Sequence, residues 1–155
     1  MRALAWLLVA AGLAACQPPL ATVAGAAAAE LEPSPAVVGA VVMHADDARR
    51  AAFASADSRL LEPYFGGRSL LSLRLQIAGL AARGQHRAEV LEARRVVHQG
   101  GSPGQPEAVL EIRARRQAGA TSATVLRQWR ARLGRQGEAW LVMEDGDLPP
   151  AAWWR

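Results

Sequence analysis

The sequence predicts an α+β domain in which three N-terminal helices pack on a four-stranded antiparallel curved sheet, cone-like in outline. Three observations carry that reading. Apolar residues recur at helical spacing through residues 36–84, whereas two-residue alternation takes over from residue 85 onward. The alternating half is broken by the turn-rich run Gly100-Gly101-Ser102-Pro103-Gly104-Gln105-Pro106 and again by Gly134 and Gly137. The best-defined stretch, residues 125–143, places two alternating runs around a glycine-bounded turn and reads as a β-hairpin. Pairing across that turn sets Leu133 against Glu138, Ala131 against Trp140, Trp129 against Val142 and Arg127 against Glu144, with both tryptophans facing inward. Glu, Ala, Leu and Arg are good helix formers and are frequent here, so an all-helical domain is the alternative.

In the first helix Val37, Val41, Ala45, Ala48, Ala52 and Ala56 make the apolar stripe, and Asp46, Asp47, Arg49 and Arg50 fall mostly on the other side. Asp46 precedes Arg50 by four residues, the favourable order for an intrahelical pair. A second, short helix starts at Asp57 or Ser58 and runs through Leu60 and Leu61 to Tyr64 and Phe65. Ser69 caps a third, in which Leu70, Leu73, Ile77 and Leu80 form the seam and Gly84 the stop. Residues 87–99 and 108–117 read as the first pair of strands. Leu110, Ile112 and Ala114 share one face of the second strand and Glu111, Arg113 and Arg115 the other, the pattern of a sheet wet on one side. Alternation in residues 87–99 is imperfect.

The chain of 155 residues suits one such domain, residues 36–155. All 18 basic side chains are arginine. Without residues 1–15 there remain 17 arginines against 14 acidic residues, a net charge of +3, too small an excess for a nucleic-acid binder. Residues 86–135 hold ten arginines against four acids, which suits an anionic ligand or an acidic partner if they do not merely solvate the sheet.

At the N-terminus Arg2 precedes an apolar run of 13 residues, short of the roughly 20 that a spanning helix needs, so residues 1–15 read as a signal peptide. Leu13-Ala14-Ala15-Cys16 resembles the lipobox of bacterial lipoproteins. The resemblance implies diacylglycerol on the Cys16 sulfur, cleavage before Cys16 and acylation of the new amino group. Multiple acyl chains hold a protein on a bilayer where one does so only marginally. Residues 16–35, with Pro18, Pro19, Pro33 and Pro35, are then a tether spanning at most roughly 60 Å. The expected location is extracytoplasmic and membrane-anchored, and Gln17, which is not the aspartate of inner-membrane retention, allows the outer membrane. With one cysteine, no intramolecular disulfide forms.

Chemistry is harder to place. His44, His86 and His98 lack any metal-ligand spacing, and no phosphate loop, nucleophile elbow or cofactor motif is present in the sequence. No metal and no cofactor are therefore expected. Trp153 and Trp154 are candidates to latch back onto the domain or to meet a partner or membrane. Three helices followed by a four-stranded meander, with Trp129-Arg130-Ala131-Arg132-Leu133, Gly137-Glu138-Ala139-Trp140-Leu141-Val142 and Asp147-Leu148-Pro149-Pro150, resemble the nuclear transport factor 2-like superfamily. That resemblance implies a cone-shaped fold whose enzymes keep carboxylates and a tyrosine or histidine inside, a set not recognisable in these residues. The residues singled out for ligand or partner contact are Arg127, Glu144, Tyr64 and Trp129, with Arg127 either paired to Glu144 or receiving an anion. The expected function is a non-catalytic module of an envelope lipoprotein that binds an envelope protein or an anionic ligand. The alternative is a pocket enzyme (isomerase, cyclase or hydrolase) on the same fold.

Overall fold

Ser34 starts the first helix by accepting the amide of Val37 at 3.3 Å, and Pro35 occupies a position where a missing N–H costs nothing. In the structure, a computed structural model that describes residues 32–118 and 121–149, helix α1 then runs over Pro35–Ser55 and stops at Ala56, which turns left-handed. Cys16, most of the tether, Trp153 and Trp154 lie outside the described residues. The buried face of α1 is Val38, Val42, Ala45, Ala48, Ala52 and Phe53 together with Asp46 and Arg49. Val37, expected in the stripe, is exposed, and Asp46, expected on the polar side, is fully buried. Phe53, the largest apolar side chain of the helix, and the carboxylate of Asp46 both point at the sheet and rotate the buried face by about one residue.

The second helix does not form. Asp57 caps as expected, its Oδ1 accepting the amide of Arg59 at 3.0 Å, but Ser58–Leu61 make only a 3-10 turn. Pro63 lacks the proton that the next helical hydrogen bond needs. Residues 64–66 instead run beside the last strand, where Val142 donates to the Tyr64 carbonyl at 2.9 Å and Gly66 donates to the Val142 carbonyl at 3.0 Å. Helix α2 spans Gly67–Ala81, so the molecule has two helices, not three. Gly66, not Ser69, stands at its N-cap. The expected seam holds: Leu73 and Ile77 are buried, with Leu70 and Leu80 packed against the core.

Strands β1 (Glu89–Ser102), β2 (Gln105–Ala118), β3 (Thr121–Gln136) and β4 (Ala139–Leu148) form one antiparallel sheet in chain order. The all-helical alternative is thereby excluded; alternation and glycine turns outweigh helix propensity when one face can be buried. Leu110, Ile112 and Ala114 do face the helices, and Arg113 and Arg115 face water. β1 carries register shifts between Leu91 and Ala93 and between Val96 and His98, each an extra residue that flips the facing of the strand beyond it. Those bulges are why alternation in residues 87–99 reads as imperfect, and the first of them turns Arg94 towards α1.

The last hairpin differs from expectation in register. Its turn is the two-residue Gly137-Glu138, with Gly137 at a φ of 63°, so Leu133 lies opposite Val142 rather than Glu138. Trp140 pairs with Arg135, not Ala131. Trp129 pairs with Asp147, not Val142, and Glu144 pairs with Arg132, not Arg127. Gly134 serves packing instead of the turn: a Cβ there would sit 2.7 Å from Met143 Cγ. Met143 is the extra residue of a bulge beside Leu133, and beyond it Asp145 faces the core.

Candidate functional site

The space between α1 and the sheet is closed by two kinds of filling. Trp129, Phe65, Leu110, Ile112, Leu61, Leu133 and Val142 are almost completely buried and supply the apolar part. The Phe65 and Trp129 rings meet at 6.3 Å with a 51° tilt. The rest is a lattice of charges. Asp46 points from α1 at the sheet, where Arg94 of β1 donates to its Oδ2 at 3.0 Å and also to Asp47 and the Met43 carbonyl, both at 2.9 Å. Arg50 donates to the same Asp46 oxygen at 3.1 Å, the intrahelical pair expected from their spacing.

Arg127 projects inward from β3 into this lattice. Its Nη2 lies 3.2 Å from Glu89 Oε2 and 3.7 Å from Asp46 Oδ1, and only 9% of its side chain is exposed. Glu89 also pairs with Arg87 at 3.0 Å and Arg116 at 2.8 Å. Arg49 stands over the Trp129 ring at 4.9 Å, a cation–π contact, with its Nη2 3.6 Å from Asp46 Oδ1. The space left among Arg49, Phe53, Arg87, Glu89 and Arg127 is about 10 Å³, the size of one water and no larger.

Charge placement sets the acidity of these groups. Burial alone pushes the Glu89 carboxyl up, but the Arg116 hydrogen bond and the charges of Arg127 and Arg87 outweigh it and leave its pKa lowered. Asp47 is held low in the same way, burial being opposed by Arg94 and Arg50. Burial and the neighbouring Arg49 pull the Arg127 guanidinium below its ordinary value. Carboxylates so tightly held make poor proton acceptors at neutral pH.

Of the four residues singled out from sequence, the structure brings two together. Arg127 and Trp129 both face the interior, where Arg49 covers the Trp129 ring and shares Asp46 Oδ1 with Arg127, although Trp129 is fully buried and its indole N–H donates to Asp145 Oδ2 at 3.0 Å. Glu144 lies on the outer face, paired to Arg132 at 3.0 Å, which removes the expected Arg127–Glu144 pair. Tyr64 is elsewhere again, half-buried, with its ring 6.3 Å from that of the exposed His44. Sequence reasoning missed Asp46, Arg49, Glu89 and Arg94. One signal was present: a tight Asp46-Asp47-Ala48-Arg49-Arg50 cluster in a helix whose other residues are mostly alanine and valine and carry no other acid or arginine. Among the described residues no group of His, Cys, Asp and Glu is arranged to hold a metal ion, and no helix is long and apolar enough to cross a membrane.

No protein-family model and no curated protein matches the chain. Solved structures do resemble it. The intermembrane space region of the chloroplast protein ARC6 superposes with a TM-score of 0.62 at 15% identity, covering 70% of this chain and 92% of that one. A protein of the NTF2-like family from Streptomyces avermitilis gives 0.49 at 14% identity, over 77% of this chain and 100% of that one. A de novo designed β-sheet protein gives 0.46 at 12% identity, over 74% and 92%. At such identities the likeness to the ARC6 region shows a shared fold and nothing about chemistry.

Proposed function

We propose that this chain is a membrane-anchored envelope lipoprotein whose domain, of nuclear transport factor 2-like layout, is a non-catalytic binding module. The observation that carries the reading is the filled interior. In a cone-shaped pocket enzyme the space between helices and sheet receives the substrate. Here Trp129, Phe65 and Leu110 occupy it, and Asp46, Glu89 and Arg127 consume one another's charges across the remainder. A substrate entering there would have to break several buried ion pairs, each costly to leave half-made. Recognition then falls to the surface, which is rich in arginine and carries exposed apolar side chains such as Leu71 and Leu75 on α2 and Val90 and Leu126 on the sheet.

Photo-crosslinking in the cell of origin tests this reading. A photoreactive residue placed singly at Leu71, Leu75, Val90, Leu126 and Arg130 should give a discrete adduct from one face and none from the opposite one. Diffuse or absent adducts at all five positions, together with turnover of a small molecule that Glu89→Gln abolishes, would replace the module with the enzyme.

A further inference from the structure

Sixteen arginines lie within the described residues, and fourteen reach an acid, a backbone carbonyl or an amide oxygen. The other two, Arg68 and Arg130, have no such partner among the described residues. They come from elements distant in sequence, the first turn of α2 and the middle of β3, yet they line the same cavity, of about 260 Å³, at the edge formed by β4. Two unpaired guanidiniums sharing one hollow repel each other, and an anion between them reverses the sign of that interaction.

The acids nearby are already engaged. Glu144 is held by Arg132 at 3.0 Å, and both oxygens of Asp145 are taken, one by the Ser69 hydroxyl and the other by the Trp129 indole. Ser72 accepts from Gln76 at 3.3 Å and keeps its own proton to donate. Gly66 offers no side-chain cap to α2, so the positive end of that helix adds to the potential on this side. The geometry points to a binding site for a phosphate group, held by the forks of Arg68 and Arg130 with Ser72 as a further donor. A planar guanidinium matches two oxygens of a tetrahedral anion, and a terminal phosphate has three oxygens with which to meet two forks and the Ser72 hydroxyl at once. The volume, about 260 Å³, is close to the roughly 300 Å³ at which pockets for drug-sized ligands begin, which admits a phosphate group together with a small substituent. The site gives the binding-module reading a ligand class and rests on that reading, though not on the lipid anchor.

The test follows the Trp129 indole N–H and the arginine Nε–H signals of the full chain in a non-ionic sugar detergent by 1H–15N NMR. Inorganic phosphate is titrated at constant ionic strength against chloride. The Trp129 signal is expected to move because Asp145 joins it to the cavity wall, and the shift should saturate with phosphate and not with chloride. Arg68→Ala and Arg130→Ala should each weaken binding at least tenfold, Arg130→Gln should do the same while keeping the packing of the stem, and Arg83→Ala at the far end of α2 should change nothing. A second arm compares dihexanoyl phosphatidylglycerol with inorganic phosphate: tighter binding of the lipid assigns the phosphate to a headgroup, and tighter binding of the free ion assigns it to a soluble anion. Absence of saturation in both arms, or saturation that survives the double substitution Arg68→Ala/Arg130→Ala, overturns the site. Silence here alongside a discrete crosslink on another face removes the pocket and leaves the module. Turnover with phosphate binding intact removes the module and leaves the pocket.

Discussion

The indole N–H of Trp129 and the hydroxyl of Ser69 donate to opposite oxygens of one carboxylate, that of Asp145. This single side chain ties β3, β4 and α2 together at a point where the core would otherwise hold an unsatisfied indole. Asp145→Ala should therefore cost about 2–3 kcal/mol in urea melts, and Ser69→Ala about 1 kcal/mol, because the first leaves a buried donor without an acceptor and the second does not. Equal losses for the two would show that Asp145 contributes only its hydrogen bond to Ser69.

Arg127 and Glu89 should be coupled. In a double-mutant cycle with Arg127→Met and Glu89→Gln, the structure implies an interaction energy of about 1–3 kcal/mol. Arg127→Met with Glu144→Gln should add within about 0.5 kcal/mol, since Glu144 faces the other side of the sheet. The reverse ranking would restore the register expected from the sequence.

Acid should unfold the protein partly through Glu89 and Asp47. Both have folded pKa values below their ordinary ones of 4.5 and 3.8, so the folded state takes up protons later than the unfolded state as pH falls. The stability they contribute is complete above those ordinary values and is lost as pH drops below them through the folded values. Melts between about pH 5 and pH 3 should show a steep fall that Glu89→Gln makes shallower. An unchanged slope in Glu89→Gln would mean its ion pairs are not formed in solution.

Truncating the two hairpin tryptophans should have unequal consequences. Trp129 is fully buried, and Trp129→Ala should cost about 3–5 kcal/mol; Trp140 is only partly buried, and Trp140→Ala should cost about 1–2 kcal/mol. The pairing expected from sequence faces both tryptophans inward and gives Trp140→Ala a cost in that same range of about 3–5 kcal/mol. Equal melts for the two variants would refute the facing described for β4.

The anchor has its own test. If the proposed lipid anchor is present, Cys16→Ser should leave the chain unprocessed or released from the membrane on fractionation, because acyl chains contribute about 0.8 kcal/mol per buried methylene to membrane binding. A variant still processed and membrane-associated to the same extent as the parent chain would remove the lipoprotein reading.

How far the fold is legible in the sequence differs from strand to strand. Leu110, Ile112 and Ala114 announce their buried face because β2 pairs without a register shift between Glu107 and Ala118. Trp129, Ala131 and Leu133 read inward correctly even though every cross-strand partner is wrong. The true turn moves Leu133's partner by four residues, an even number, and an even shift preserves facing while exchanging partners. The misreading lies in treating Gly134 as a turn residue when close approach of Met143 is what excludes a side chain there. The buried lattice is illegible for a different reason. A charged residue on a helix is assigned to water by default, and only the bulge in β1, which no residue type marks, brings Arg94 round to meet Asp46.

That lattice also bears on the order in which the chain folds. The sheet is a meander of sequential hairpins, each pairing neighbours in the chain, and such contacts form with small loop-closure cost. Asp46 and Arg94, by contrast, are 48 residues apart. Asp46 can be stripped of water only when α1 arrives with Arg94 and Arg50 already positioned, because a lone carboxylate in that space is too costly. Docking of α1 is thus expected to come late, on a preformed sheet. Arg94→Met should speed unfolding far more than it slows folding, whereas Ile112→Val in the sheet should act on both rates.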